Sequence, residues 1–268
     1  MNSPLPLQGL TIWVTRPRGQ ERSLCKRIRA LGGRALSFPT IEILPPQDRD
    51  ALDRLAADAR RFTRAVFVSR NAVSWAVRLL PPGVLAHLRT LPVFCPGAGS
   101  AAALRERGLA AAVHGAGDSE ALLALPELQR QRVAGETFLI VRGVGGRELL
   151  RAELERRGAN VCYAQVYRRV MPERHPEIAA KTCREFPPDW ILIHSCEGLR
   201  NLCEMMTKAW RQRLLAVRLA VLGRRMADLA AELGFTQAPV VAAEPSDAGL
   251  LDCMLQQRST RRARRDGP

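Results

Sequence analysis

Two hydrophobic patterns alternate along this chain. Short apolar runs at Thr11 to Val14, Ala65 to Val68, Val93 to Cys95, Phe138 to Val141, Trp190 to His194 and Leu219 to Leu222 have the length and composition of buried strands. Between them lie segments with helical spacing of apolar residues, among them Glu21 to Leu31, stopped by Gly32-Gly33, and Arg147 to Arg157, closed by Gly158. Leu36 to Ile43 reads as one extended stretch after the first of these helices, and Val161 to Val170 as another after the second. Strand, helix, strand units in series predict an α/β fold of parallel sheets with helices on both faces. In such folds ligands bind where strand ends meet helix starts.

The pattern repeats. Arg16 and Arg142, Leu24 and Leu150, Ile28 and Leu154, Gly32 and Gly158, Ser69 and Ser195, Gly97 and Gly223, and Gly108 and Gly234 are each 126 residues apart. Ser119 and Ser246 fall 127 apart, each opening a similar stretch, so one insertion accounts for the slip. An ordered set of special residues at one spacing is the signature of internal duplication.

Composition narrows the classes. A chain of 268 residues, 47% hydrophobic and 25% charged, can build one large or two modest domains. Its apolar stretches are too short, or too interrupted by Arg, to cross a bilayer, and the first residues lack the basic start and apolar run of a secretory signal. The expected location is the cytoplasm. Seven scattered cysteines without a C-x-x-C pair, and four histidines without ligand spacing, predict reduced thiols and no metal. The net charge is +15, of which the segment after Gln257 supplies only +4, so the body is basic and calls for an anionic partner. The segment from 258 to 268 reads as a solvated, disordered basic tail.

Four strand-to-helix turns carry small or hydroxyl residues: Ser69-Arg70-Asn71, Gly97-Ala98-Gly99-Ser100, Gly143-Val144-Gly145-Gly146 and Ser195-Cys196-Glu197-Gly198. Each exposes helix N-terminal amides suited to carboxylate or phosphate, although a single such Ser is ordinary helix capping. Gly97-Ala98-Gly99-Ser100-Ala101-Ala102 also fits a dinucleotide turn with Asp118 downstream, but Gly223-Arg224-Arg225-Met226 lacks the second glycine and Asp118 stands where a helix cap would. No phosphate loop, nucleophile elbow or H-E-x-x-H pair occurs, so no cofactor is expected. Strict alternation along Val161 to Val170 puts Tyr163, Gln165, Tyr167 and Arg169 on one face, with Tyr163 directed toward a core.

In order and spacing, Val14-Thr15-Arg16-Pro17, Val68-Ser69-Arg70-Asn71-Ala72-Val73, Gly97 through Ala101, Ser119 through Leu123, Val141-Arg142-Gly143 with Gly146-Arg147, Val166-Tyr167-Arg168-Arg169 and Ser246-Asp247-Ala248 resemble uroporphyrinogen-III synthases from about residue 10 to 255. The resemblance implies two flavodoxin-like domains: one from residues 1–40 and 171–257, the other from 45–163, with connector strands 38–44 and 164–170 and the active site in a cleft between domains. The repeat alone would equally allow two sequential halves. The implied reaction closes the linear tetrapyrrole hydroxymethylbilane, with inversion of the last ring and loss of water. The implied enzyme is a monomer that takes a polycarboxylate, with no membrane or specific nucleic-acid partner.

Carried over by motif, Tyr167 is the acid that assists hydroxyl departure. Ser69, Gly97, Ser100, Arg142, Gly143 and Ser195 grip carboxylates, with Arg16 and Arg225 as additions. The chain departs from the family pattern at Ser100, where Thr is common, at Met226, the hydroxyl-free repeat mate of Ser100, and at His194, where a small or hydroxyl residue is usual. Those departures leave a second reading, a two-domain tetrapyrrole-binding module without turnover. A third, nucleic-acid binding through the basic tail, is weakened by 5% aromatic content and the lack of a recognition helix.

Overall fold

The computed structural model describes residues 5–109, 113–115, 117–173 and 175–265. The strands are β1 (Thr11–Val14), β2 (Arg34–Ser37), β3 (Glu42–Leu44), β4 (Arg64–Phe67), β5 (Val93–Cys95), β6 (Val113–His114), β7 (Thr137–Gly143), β8 (Asn160–Val170), β9 (Trp190–Ile193), β10 (Arg218–Val221) and β11 (Val240–Val241). They form a five-stranded sheet in the order β11-β10-β9-β1-β2 and a six-stranded sheet in the order β3-β8-β7-β4-β5-β6. Pairings within the first sheet, and those joining β8, β7, β4, β5 and β6 in the second, are parallel. The chain divides into one unit of residues 1–42 and 170–268 and another of 43–169.

The repeat explains the two strand orders. A shift of 126 residues carries β1 and β2 onto β7 and β8, and β4 and β5 onto β9 and β10. Under that mapping both sheets have the same sequence of strands, the flavodoxin-like order 2-1-3-4-5, with β3 added at the edge of the second. In the second unit the chain enters at its third strand, so that sheet is built from the end of one repeat and the start of the next. The switch in strand order lies between β1 and β9 in one unit and between β7 and β4 in the other.

Each sheet buries both faces, as parallel sheets do, which is why the strands read as continuous apolar runs. In the first unit Trp13 faces one cluster with Ile191, Ile193 and Leu219, while Ile12 and Val14 face another with Trp190 and Leu192. In the second, Ala65, Phe67, Leu139 and Val141 lie on one side and Val66, Phe94, Phe138 and Ile140 on the other. All seven cysteines are free thiols.

Three expectations change. Leu36 to Ile43 is two strands, because Pro39 has no N–H for a ladder and Thr40 turns inward. There its N–H reaches the Thr15 carbonyl at 3.3 Å, and its own carbonyl accepts from Asn201 Nδ2 at 2.8 Å. Along β8 the register passes from Arg142↔Gln165 to Gly143↔Tyr167, so Val166 is a bulge residue. Val166 and Tyr167 therefore join the same cluster, whereas Tyr163 packs on the opposite one, and the two tyrosines do not share a sheet face. The expected disordered tail is helical: the last helix spans Asp247–Arg265, since an arginine-rich segment has good helix propensity and continues a helix already anchored by Leu250, Leu251 and Met254. Residues 266–268 lie outside the described residues.

Candidate active site

The turn after β4 places a hydroxyl at the switch point of the second sheet. Ser69 caps the helix Arg70–Leu79, its Oγ accepting from the Ala72 N–H at 3.2 Å. The same Oγ lies 3.3 Å from the Tyr167 hydroxyl, with either able to donate. Tyr167 is only 5% exposed, and its ring packs against the backbone of Gly143, where a Cβ would come within 2.6 Å of Cε2. Glycine there makes room for the ring.

The turn after β7 wraps around a buried guanidinium. Arg142 is 6% exposed; its Nε donates to the Gly143 carbonyl at 3.3 Å, its Nη2 to the Gly145 carbonyl, and its Nη1 to Glu148 Oε1 at 3.0 Å. Gly145 and Gly146 have φ of +72° and +94°, a conformation that lets the loop close over the side chain. The Tyr163 ring lies 4.5 Å from the Arg142 guanidinium and 4.6 Å from that of Arg151, and its hydroxyl donates to Glu148 Oε2 at 2.5 Å. Burial, followed by that bond, pushes the Tyr163 phenol up to about 12. The Tyr163 hydrogen bond, helped by Arg142 and opposed by burial, holds the Glu148 carboxyl below its usual range.

These side chains line a cavity of about 210 Å³ that includes Ser69, Arg142, Gly143, Tyr163 and Tyr167, edged by Arg147 and Arg169. It brings together four of the expected site residues, all in the second unit. Gly97 and Ser100 are not on its wall. Gly97 precedes the helix Ala98–Glu106 and its carbonyl accepts from the Ser100 N–H at 3.0 Å. Asp118 accepts from the Ala121 N–H at 2.7 Å and so caps the helix Ser119–Leu123.

Ser195, Arg16 and Arg225 belong to the first unit, Ser195 and Arg16 at its own switch point and Arg225 after β10. Ser195 repeats the Ser69 device, capping the helix Cys196–Glu204 through the Gly198 N–H at 3.0 Å. Arg16, after β1, is bound to Asp247 Oδ1 through Nη2 at 2.6 Å and Nε at 2.9 Å, and His194 Nε2 reaches the same oxygen at 3.2 Å. Burial lowers the His194 pKa. Burial also pushes Asp247 up, but His194 and Arg16 outweigh it and hold the carboxyl below its usual value. Arg225 is exposed in the first turn of the helix Arg224–Glu232.

Sequence reasoning missed Glu148 and Asp247, the carboxylates that hold Arg142 and Arg16, and gave Tyr163 only a packing role. Asp247 had a signal: it follows Ser246 as Glu120 follows Ser119, and Glu120 likewise pairs with an arginine, Arg147, at 2.5 Å. Among the described residues no cluster of three or more His, Cys, Asp or Glu could hold a metal.

The family model described as uroporphyrinogen-III synthase HemD matches residues 22–252. Among curated relatives, the uroporphyrinogen-III synthase of Salmonella typhimurium (strain LT2) is 35% identical, the match covering 89% of this chain and 98% of that protein. That of Escherichia coli (strain K12) is 33% identical with the same coverage, 89% and 98%. Of solved structures, a mutant uroporphyrinogen III synthase from the extremely thermophilic bacterium Thermus thermophilus superposes with a TM-score of 0.60 at 19% identity, covering 94% of this chain and 100% of that one. The uroporphyrinogen-III synthetase of Helicobacter pylori gives 0.63 at 15% identity, covering 92% and 99%. At these identities the structural likeness is one of fold.

Proposed function

The chain belongs to the uroporphyrinogen-III synthase family, and from that premise we propose that it closes hydroxymethylbilane into uroporphyrinogen III, a lyase step of tetrapyrrole and heme biosynthesis. The observation that carries the residue-level reading is the Ser69–Tyr167 hydroxyl pair on a cavity edged by arginines.

In this reading the terminal hydroxyl of the substrate leaves as water. A pyrrole nitrogen supplies the electron pair that forms the azafulvene, and Tyr167 supplies the proton, as a neutral phenol can. Ser69 stands where it can donate to the phenolate left behind, and its own oxygen already accepts from the Ala72 amide, which polarises the O–H. The last ring then attacks through its substituted carbon, the spiro intermediate breaks and recloses inverted at the free ring carbon, and the proton lost from that carbon restores the Tyr167 phenol. Water is the only other product and no electrons change hands, so the step needs no oxidant or reductant. Spontaneous closure gives the uninverted isomer; the protein's main task is to hold one reactive fold of a flexible chain.

Arg142 and the glycines after it grip one carboxylate of the substrate. Gly97, Ser100, Ser195, Arg16 and Arg225 take others, with Arg16 held in place by Asp247. The protein works in the cytoplasm as a monomer; no helix of the described residues is long and apolar enough to cross a membrane. The test is the isomer assay: enzymatically generated hydroxymethylbilane is mixed with the protein and the type I and type III products are separated. Type I product alone would overturn the reading in favour of a binding module without turnover.

A further inference from the structure

We propose that Arg142 and Tyr163 form a two-donor carboxylate subsite in the cavity, and that Glu148 is its resident, displaceable occupant. The proposal rests on the cyclase reading for the source of the incoming carboxylate.

One carboxylate already sits across both donors. Glu148 Oε1 accepts from Arg142 Nη1 at 3.0 Å while Oε2 accepts from the Tyr163 hydroxyl at 2.5 Å. The two donors are fixed. Arg142 spends Nε and Nη2 on the backbone carbonyls of Gly143 and Gly145, and the Tyr163 ring packs against the guanidinium groups of both Arg142 and Arg151, at 4.5 and 4.6 Å. The occupant is not fixed in the same way. The Glu148 side chain is 59% exposed against 7% for Arg142, so it can turn out into water at small cost, while the guanidinium cannot follow. A buried cation left alone is costly, so departure of Glu148 requires another anion to arrive. A substrate carrying many carboxylates supplies one.

Protonation keeps the cradle in working order. The raised phenol of Tyr163 retains its proton and remains a donor at any neutral pH, and the lowered carboxyl of Glu148 remains an anion until a rival displaces it. The neighbouring pair Arg147–Glu120 lacks the asymmetry that defines a subsite, since its two side chains are 59% and 54% exposed and either can move.

A resident ligand reduces apparent affinity by the fraction of time that it fills the site. Glu148→Gln keeps the shape and removes the charge, so KM for hydroxymethylbilane should fall about three- to tenfold, with a smaller change in kcat. Tyr163→Phe keeps the ring and the Arg142–Glu148 pair, so it should fold; losing one donor should raise KM about three- to tenfold. Uroporphyrin, the fluorescent oxidised form of the product, gives a second readout without turnover. Its affinity should rank Glu148→Gln above the native protein and the native protein above Tyr163→Phe. If Glu148 only braces the loop, Glu148→Gln will weaken binding or leave it unchanged, and that result overturns the proposal. An unchanged KM and uroporphyrin affinity in Tyr163→Phe overturns it independently of whether Glu148→Gln folds. Type III product from the native protein separates these outcomes from failure of the cyclase reading, and the uroporphyrin ranking still decides the subsite if no such product forms.

Discussion

A Cβ built on Gly143 would stand 2.6 Å from Cε2 and 2.7 Å from Cζ of Tyr167, closer than any real pair of such atoms. The glycine is required for space, and the ring's position depends on it. Gly143→Ala should push the phenol off Ser69, lower stability by about 1–3 kcal/mol and slow cyclisation. Urea unfolding and initial rates measured on one preparation check both effects; a native rate with native stability would mean that the ring has another resting place.

The strand ends were legible because parallel strands are buried on both faces and leave short, bounded apolar runs: Val93 to Cys95 and Thr11 to Val14 appear with their expected limits. The duplication was legible in the sequence, and in the structure the paired serines Ser69 and Ser195 share one capping role. The assignment of strands to units was not, since a repeat fixes which strands correspond but not which copy supplies each. The bulge at Val166 is also invisible in the sequence, because period-two alternation has no marker for an extra residue, and this is why alternation alone puts Tyr163 and Tyr167 on one face. Glu148 has no such marker, and the signal at Asp247 lies in its repeat position rather than in its local sequence. Ion-pair partners at strand-to-helix turns depend on the loop path, which local sequence does not fix.

Arg142→Ala should raise KM far more than it shifts the pH profile, because a guanidinium stays charged and cannot be the acid. It should also cost about 2–3 kcal/mol of stability, since the carbonyls of Gly143 and Gly145 lose a charged donor while exposed Glu148 can rehydrate. Substrate-dependence curves at several pH values test this. A shifted profile with unchanged KM would contradict the grip assigned to Arg142.

The Arg16–Asp247–His194 cluster predicts an acid-side loss of stability in two parts. The folded pKa of His194 lies below its unfolded value of 6.5, so the unfolded chain binds that proton first and stability falls as pH drops below about 6.5. The folded pKa of Asp247 lies below 3.8, so its contribution is present above that value and is lost as pH falls through the folded pKa. His194→Gln should flatten the dependence between about pH 7 and 5 and leave, of the lower limb, the part that Arg16 supports. Urea midpoints across this range read the slopes; an unaltered upper limb would assign it to another group.

Residues beyond Gln257 should be dispensable for catalysis. The last helix is anchored by Leu250, Leu251 and Met254, all before that point, so truncation removes turns without removing those contacts. The expected cost is under about 1 kcal/mol, with type III product formed at the native rate. A truncated protein that melts normally but no longer cyclises would give the basic end a role in substrate binding.

Tyr167→Phe isolates the proposed acid. The ring and its packing on Gly143 remain, and the only group removed is the hydroxyl 3.3 Å from Ser69 Oγ. If that hydroxyl protonates the departing group, kcat should fall by about ten- to a thousandfold while the fold is unchanged. Ser69→Ala should fall less, because it removes the support of the phenolate and a helix cap but leaves the proton source. In the double variant the two losses should not add, since Ser69 acts on catalysis through Tyr167. Residual type III product should survive in each variant, because positioning of the substrate persists without the acid. Equal kcat for Tyr167→Phe and the native protein, at saturating substrate and matched melting temperature, would remove Tyr167 from proton transfer and leave the pair with Ser69 as a brace for the cavity wall.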